Sequence, residues 1–137
     1  VEKQLPLPVA NADSATYWQS AKEGKLVLRR CKSCGEVHFM PRYLCPFCWS
    51  TELEWIDAAG KGKVHSFTII RRASSPAFAG LTPYVVALID LAEGPRMMSN
   101  IVGESALEVE IGDGVTLRFE DREGSKLPQF ALEKGRP

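Results

Sequence analysis

Apolar and polar positions alternate with period two through much of the second half of the chain. In residues 115–120, Val115, Leu117 and Phe119 alternate cleanly with polar residues, as in a half-buried strand. Residues 64–70 are rich in β-branched and aromatic side chains, and residues 84–91 are apolar on both faces, as in a buried strand. The turn at 92–95 leads to a strand over 96–102, and the turn at 121–124 leads to one over 127–132, where Pro128 suits an edge. A non-strand segment, 103–110, separates the third of these strands from the fourth. Five strands with that insertion predict an OB-fold, a small Greek-key barrel, over residues 57–137.

The first half reads differently. Residues 1–12 hold two prolines and no periodic pattern, which predicts an extended arm. Asp13 is placed to cap a short helix over 14–23 that Gly24 ends. Trp18 and Ala21 share one face of it, with Tyr17 beside them. So short a helix must dock to persist. Tyr17 and Trp18 are therefore candidates for contact with the chain's own core or with a partner. Arm and helix form a first region, 1–25. In 26–56, short strands at 26–30, 37–39 and 52–56 flank two cysteine pairs.

Cys31, Cys34, Cys45 and Cys48 form two Cys-x-x-Cys pairs with ten residues between the inner cysteines. Four thiolates suit tetrahedral zinc, and four protein ligands leave no open position, so the expected site is structural. Iron is the alternative metal for the same ligand set. Gly35 allows the tight turn after Cys34. The expected architecture is thus mainly β: a short N-terminal helix, a zinc ribbon and a five-stranded barrel. Removing the metal, or Cys31→Ser, is expected to unfold the ribbon and leave the barrel folded.

Charge removes some functions. Lys plus Arg equals Asp plus Glu, 17 each, and the halves are balanced too: four basic and three acidic groups in 26–56, ten and eleven in 57–137. A general nucleic-acid binder carries a basic excess, so a single-strand nucleic-acid module is the weakest reading. No apolar run reaches membrane-spanning length. The N-terminus has no basic stretch followed by an apolar core, which predicts a cytoplasmic protein rather than an exported one. The chain starts at Val1 and not Met, which leaves room for a longer parent protein. No G-x-S-x-G, H-E-x-x-H or Walker motif occurs. His38 and His65 are the only histidines, and each reads as an ordinary core or surface residue. No catalytic residue is assigned. The loop 71–83 is long for a compact barrel. Its Phe78 and Leu81 are candidate partner contacts, and Arg71 and Arg72, with Arg96, are candidate phosphate contacts.

The ordered motifs carry a resemblance. They run Tyr17-Trp18, Gly24-x-Leu26, Cys31-x-x-Cys34-Gly35 and Pro41-Arg42-x-x-Cys45-Pro46-x-Cys48. Gly60-x-Gly62-x-Val64, Pro83-Tyr84-x-Val86-Ala87, Asn100-Ile101-Val102-Gly103 and Ile111-Gly112-x-x-Val115 follow. Each is weak alone, but the order over residues 13–133 resembles the acyl-CoA-associated zinc-ribbon/OB-fold family, long known only as a domain of unknown function. The resemblance implies a rubredoxin-like ribbon with a structural zinc held by all four cysteines. It implies a non-catalytic subunit that accompanies a thiolase-superfamily enzyme acting on acyl-CoA, by thiolysis or aldol cleavage, in a hetero-oligomer such as two plus two. A stand-alone acyl-CoA-binding protein is the alternative.

Overall fold

The computed structural model describes residues 5–133; the ends of the expected arm and barrel, 1–4 and 134–137, lie outside them. Helix α1 spans Ala15–Lys22. Its N-cap is Ser14 and not Asp13, because Asn11 and Ser14 close a turn on each other. The Ser14 amide donates to Asn11 Oδ1 at 2.9 Å, and the Asn11 amide donates to Ser14 Oγ at 3.1 Å. The other end follows the expectation. Gly24 sits at φ 83°, and the Gly24 and Lys25 amides return to Ala21 and Ser20 carbonyls, a Schellman closure.

Three strands make a small antiparallel sheet in the order β2-β1-β3: β1 Val27–Cys31, β2 Val37–His38 and β3 Leu53–Asp57. Five more close a barrel in the order β4-β5-β6-β8-β7. They are β4 Lys61–Ile70, β5 Tyr84–Leu91, β6 Arg96–Val102, β7 Gly114–Arg122 and β8 Ser125–Leu132. Pairing is antiparallel except between β6 and β8, and β7 closes on β4. This is the OB-fold arrangement.

Several local expectations shift. Residues 59–63 read as a link, yet β4 already begins at Lys61. Gly62 belongs to the packing there: a Cβ on it would lie 2.7 Å from Ile89 Cγ2 and 2.8 Å from the Asp90 carbonyl oxygen. The bare backbone lets β4 ride close over β5. The β4–β5 register slips between Val64 and Ser66, a bulge at His65. On β5 only one face is fully buried, at Val85, Ala87, Ile89 and Leu91. Loop 71–83 contains a short 3-10 helix, Pro76–Leu81, with Pro76 at its start and the Ala77 amide donating to Ser75 Oγ. The β7–β8 turn shrinks to Glu123 and Gly124, both at positive φ, between paired Arg122 and Ser125. Strand β8 is not an edge. It meets β6 only at Ile101 and Val102, however, so Pro128 precedes that register and the missing N–H is tolerated.

One apolar cluster joins the parts. It holds Phe130, Ile89, Val64, Val85 and Val115 inside the barrel together with Leu26–Leu28 beside β1 and Tyr17 of α1. Helix α1 packs on both β1 and β8. The ribbon's first strand therefore shares a core with the barrel.

Candidate metal centre and its surroundings

Two knuckles bring the cysteines together. In the first, the Gly35 amide donates to the Cys31 carbonyl at 2.9 Å and the Cys34 amide to Cys31 Sγ at 3.4 Å. In the second, the Trp49 amide donates to the Cys45 carbonyl at 2.9 Å and the Phe47 amide to Cys45 Sγ at 3.3 Å. Ser33 and Ser50 hydroxyls, 2.9 Å apart, link the knuckles. The turn residue after the second cysteine has positive φ in each: 83° at Gly35 and 68° at Trp49.

The four Sγ atoms lie within 4.8 Å of one another. Cys31 and Cys48 are 3.6 Å apart, and Cys34 and Cys45 3.7 Å. A tetrahedron with Zn–S of about 2.3 Å has edges of about 3.8 Å, so the donor set fits zinc. Both distances exceed a disulfide bond, and all four thiols are free. The amide of Cys34, ahead of the other groups at the site, holds the Cys31 thiol down at about 6. At Cys34 the Glu36 amide pulls downward, but lost hydration and the neighbouring thiols outweigh it and push the thiol up to about 12. Cys48 is likewise raised: the Ser50 amide lowers it, against desolvation and the Cys31 and Cys45 thiols. This is what four like-charging groups do when crowded, and a divalent ion would reverse it.

His38 lies outside this donor group. It is buried, with neither ring nitrogen hydrogen-bonded. Burial, then Arg29 and Arg42, depresses its pKa. Arg29, its neighbour across β1–β2, places its guanidinium 4.3 Å from the centre of the Trp55 ring, a cation–π pair that required the β1–β3 register and was not visible in the spacing.

The three candidate arginines do not converge. Arg96 pairs with Asp90 at 2.7 Å, across β5–β6. Arg71 and Arg72 follow Ile70, which pairs with Tyr84 at the opposite end of β5. Six residues of strand separate the ends by roughly 20 Å. Asp90 also holds His65, Nδ1 to Oδ2 at 3.3 Å, and its carboxyl is lowered chiefly by the Arg96 hydrogen bond.

The partner candidates also separate. Tyr17 is not on the surface: it is buried against Trp18 and Phe39, with ring centres 4.9 and 5.6 Å away, and burial pushes its hydroxyl up. Half-buried Trp18 is the more open of the two, and both border a largely apolar groove of about 450 Å³ with Phe39, Met40, Met98 and Pro128. Phe78 packs toward Tyr84, 6.0 Å between ring centres, and Leu81 is exposed beside it. Among the described residues no helix is long and apolar enough to cross a membrane.

Two family models cover most of the chain: the ChsH2 rubredoxin-like zinc ribbon domain over residues 18–54 and the ChsH2 C-terminal OB-fold domain over 55–120. A probable enoyl-CoA hydratase alpha subunit of Thermomonospora curvata is 36% identical over 132 residues, 96% of this chain. This chain spans only 40% of that protein's length. The benzoylsuccinyl-CoA thiolase subunit BbsA of Thauera aromatica is 33% identical, covering 77% of this chain and 73% of its own length. Among solved structures, a chain of the Ltp2-ChsH2(DUF35) aldolase superposes with a TM-score of 0.82 at 36% identity, covering 93% of this chain and 100% of that one.

Proposed function

Because the chain belongs to the ChsH2 (DUF35) family of zinc-ribbon and OB-fold proteins, we propose that it is an accessory subunit of a complex acting on acyl-CoA. The catalytic groups come from a thiolase-superfamily partner, and the CoA thioester is the substrate of the assembly. The observation that carries this reading is the likeness to the aldolase chain: 36% identity over 93% of this sequence. The thiolase subunit BbsA supports the same role from a second chemistry. Whether this chain serves thiolysis or aldol cleavage depends on the partner.

Cys31, Cys34, Cys45 and Cys48 are the proposed zinc ligands. Bound there, the ion supplies structure: it ties two knuckles that have little apolar core. The chain's own residues order the site through the amides of Cys34 and Phe47, which donate to two of the sulfurs. The wide separation of Arg71 and Arg72 from Arg96 argues against one shared phosphate cradle, and so against the stand-alone acyl-CoA binder.

The test is reconstitution. The full chain, tagged, is purified with its partner from the source cells, and the partner is then assayed alone and with the chain added back. Acyl-CoA cleavage that needs both proteins is the expected result. A partner fully active and soluble alone overturns the proposal.

A further inference from the structure

Four large apolar side chains stand exposed within ten residues around the second knuckle: Met40 57%, Tyr43 65%, Phe47 62% and Trp49 79%. Single exposed apolar residues need no explanation, but a cluster of this kind does. Beside it, Arg42, Tyr43, Pro46 and Trp49 line a hollow of about 410 Å³, together with Asp13.

The rings do not ride on a loose loop. Phe47 and Trp49 both donate their amides to Cys45, and the Cys45 amide donates to the Ser50 carbonyl. Trp49 holds φ at 68°, a backbone region unfavourable for a bulky residue. Glycine fills the equivalent place in the first knuckle, at Gly35, so the knuckle itself does not need an indole there. A strained, exposed tryptophan on a braced turn is a rigid display, and rigid aromatic anchors lose little entropy on binding.

The occupant follows from charge. Within residues 40–49 the only charged side chain is Arg42, and no acid accompanies it. Among the described residues, no ion pair involves Arg42. Aromatic residues and Arg without Lys or Glu are the composition of a binding hot spot. A two-fold contact between copies must supply its counter-charges from the same patch, and the one acid lining the hollow, Asp13, already acts on Arg29. An anionic membrane surface needs several cations, and only one is present.

We propose that this ribbon tip is the docking surface for the enzyme subunit of the complex, entering an apolar pocket whose rim bears a carboxylate opposite Arg42. The proposal rests on the accessory-subunit reading and adds the place of contact, which differs from Trp18 and from the Phe78–Leu81 loop.

The experiment uses the full zinc-loaded chain and the acyl-CoA-processing subunit recovered with it, purified and identified. Phe47→Ser combined with Trp49→Asn removes the anchors; Asn accepts positive φ, so the turn is kept. One zinc per chain and an unchanged melt establish the fold. Affinity by calorimetry then falls at least thirtyfold, while Ile111→Ser, equally exposed on the barrel, leaves it unchanged. Arg42→Glu slows association at low salt. Undiminished affinity in the double variant overturns the docking surface, and undiminished association in Arg42→Glu overturns the carboxylate. A wild-type chain that forms a dimer dissociated by the double variant assigns the patch to a second copy instead, and overturns the proposal. Failure of the wild type to recover any such subunit sinks the accessory reading itself.

Discussion

Leu28→Ala tests whether ribbon and barrel fold as one unit. Leu28 lies on β1, in the ribbon sheet, and is 1% exposed within the cluster that fills the barrel. Truncating a leucine at such a site costs about 2–5 kcal/mol, the transfer term plus the cavity left behind. With a urea slope of about 2 kcal/mol/M, the midpoint falls by about 1–2.5 M. The chain offers two separate probes. Of the three tryptophans, Trp49 and Trp55 lie in the ribbon while Trp18 touches the barrel, so in a Trp18→Phe background the fluorescence reports the ribbon. Far-UV circular dichroism is dominated by the five barrel strands. Because the core is shared, both transitions of the zinc-loaded chain should move down together. A fluorescence transition that shifts while the dichroism transition stays fixed would refute the shared core and restore two independent domains split near residue 57.

Gly62→Ala should cost about 1–3 kcal/mol, since the new methyl meets the Asp90 carbonyl oxygen at 2.8 Å and backbone cannot step aside; a melting temperature within one degree of wild type counts against the close β4–β5 approach. Zinc loading at pH 7.5 should release protons from Cys34 and Cys48, both raised in the metal-free cluster, whereas Cys31, held at about 6, is already a thiolate. Calorimetry in buffers of different ionisation enthalpy reads the number, and zinc affinity should weaken as pH falls because protons compete for the ligands; an affinity flat from pH 8 to 6 contradicts this. His38 has a folded pKa below its ordinary 6.5, so the unfolded chain binds its proton first. Its contribution is present above about 6.5 and lost as pH falls through the folded value. His38→Phe should therefore lose less stability than wild type between pH 7 and 5, by at most about 1.4 kcal/mol per pH unit; parallel urea-midpoint profiles would refute the assignment.

The barrel and the cysteine cluster were legible because each depends on spacing along the chain. Period two marks a half-buried strand wherever it lies, and four cysteines in two pairs can meet around one ion with little help from elsewhere. What escaped depends on register. Gly62 reads as a linker glycine until β5 is laid against it. Arg71, Arg72 and Arg96 look like one basic set in sequence, and only the pairing of Ile70 with Tyr84 and of Asp90 with Arg96 puts them at opposite ends of a strand. Tyr17 and Trp18 are adjacent, and a helix turns one into the core and leaves the other half-covered. Asp13 lost the cap to Ser14 through a turn with Asn11, a local competition that composition does not rank.

The metal's expected reach is shorter than the ribbon. Between residues 32 and 52 only His38 and Cys45 are buried, far too little to order some twenty residues against their conformational entropy. Leu26–Leu28, by contrast, are held by the shared core, and β3 pairs with β1 over its whole length. The ion therefore substitutes for a core in the two knuckles, whereas β1 and β3 are held by the barrel and the helix. The segment that most needs the ion is also the one that exposes Tyr43, Phe47 and Trp49. An apolar surface that cannot bury itself can keep a fixed shape if something other than burial braces it, and four thiolates on one ion do that. In the proposed docking, the cluster acts through the geometry of its neighbours: it holds them still for the partner subunit.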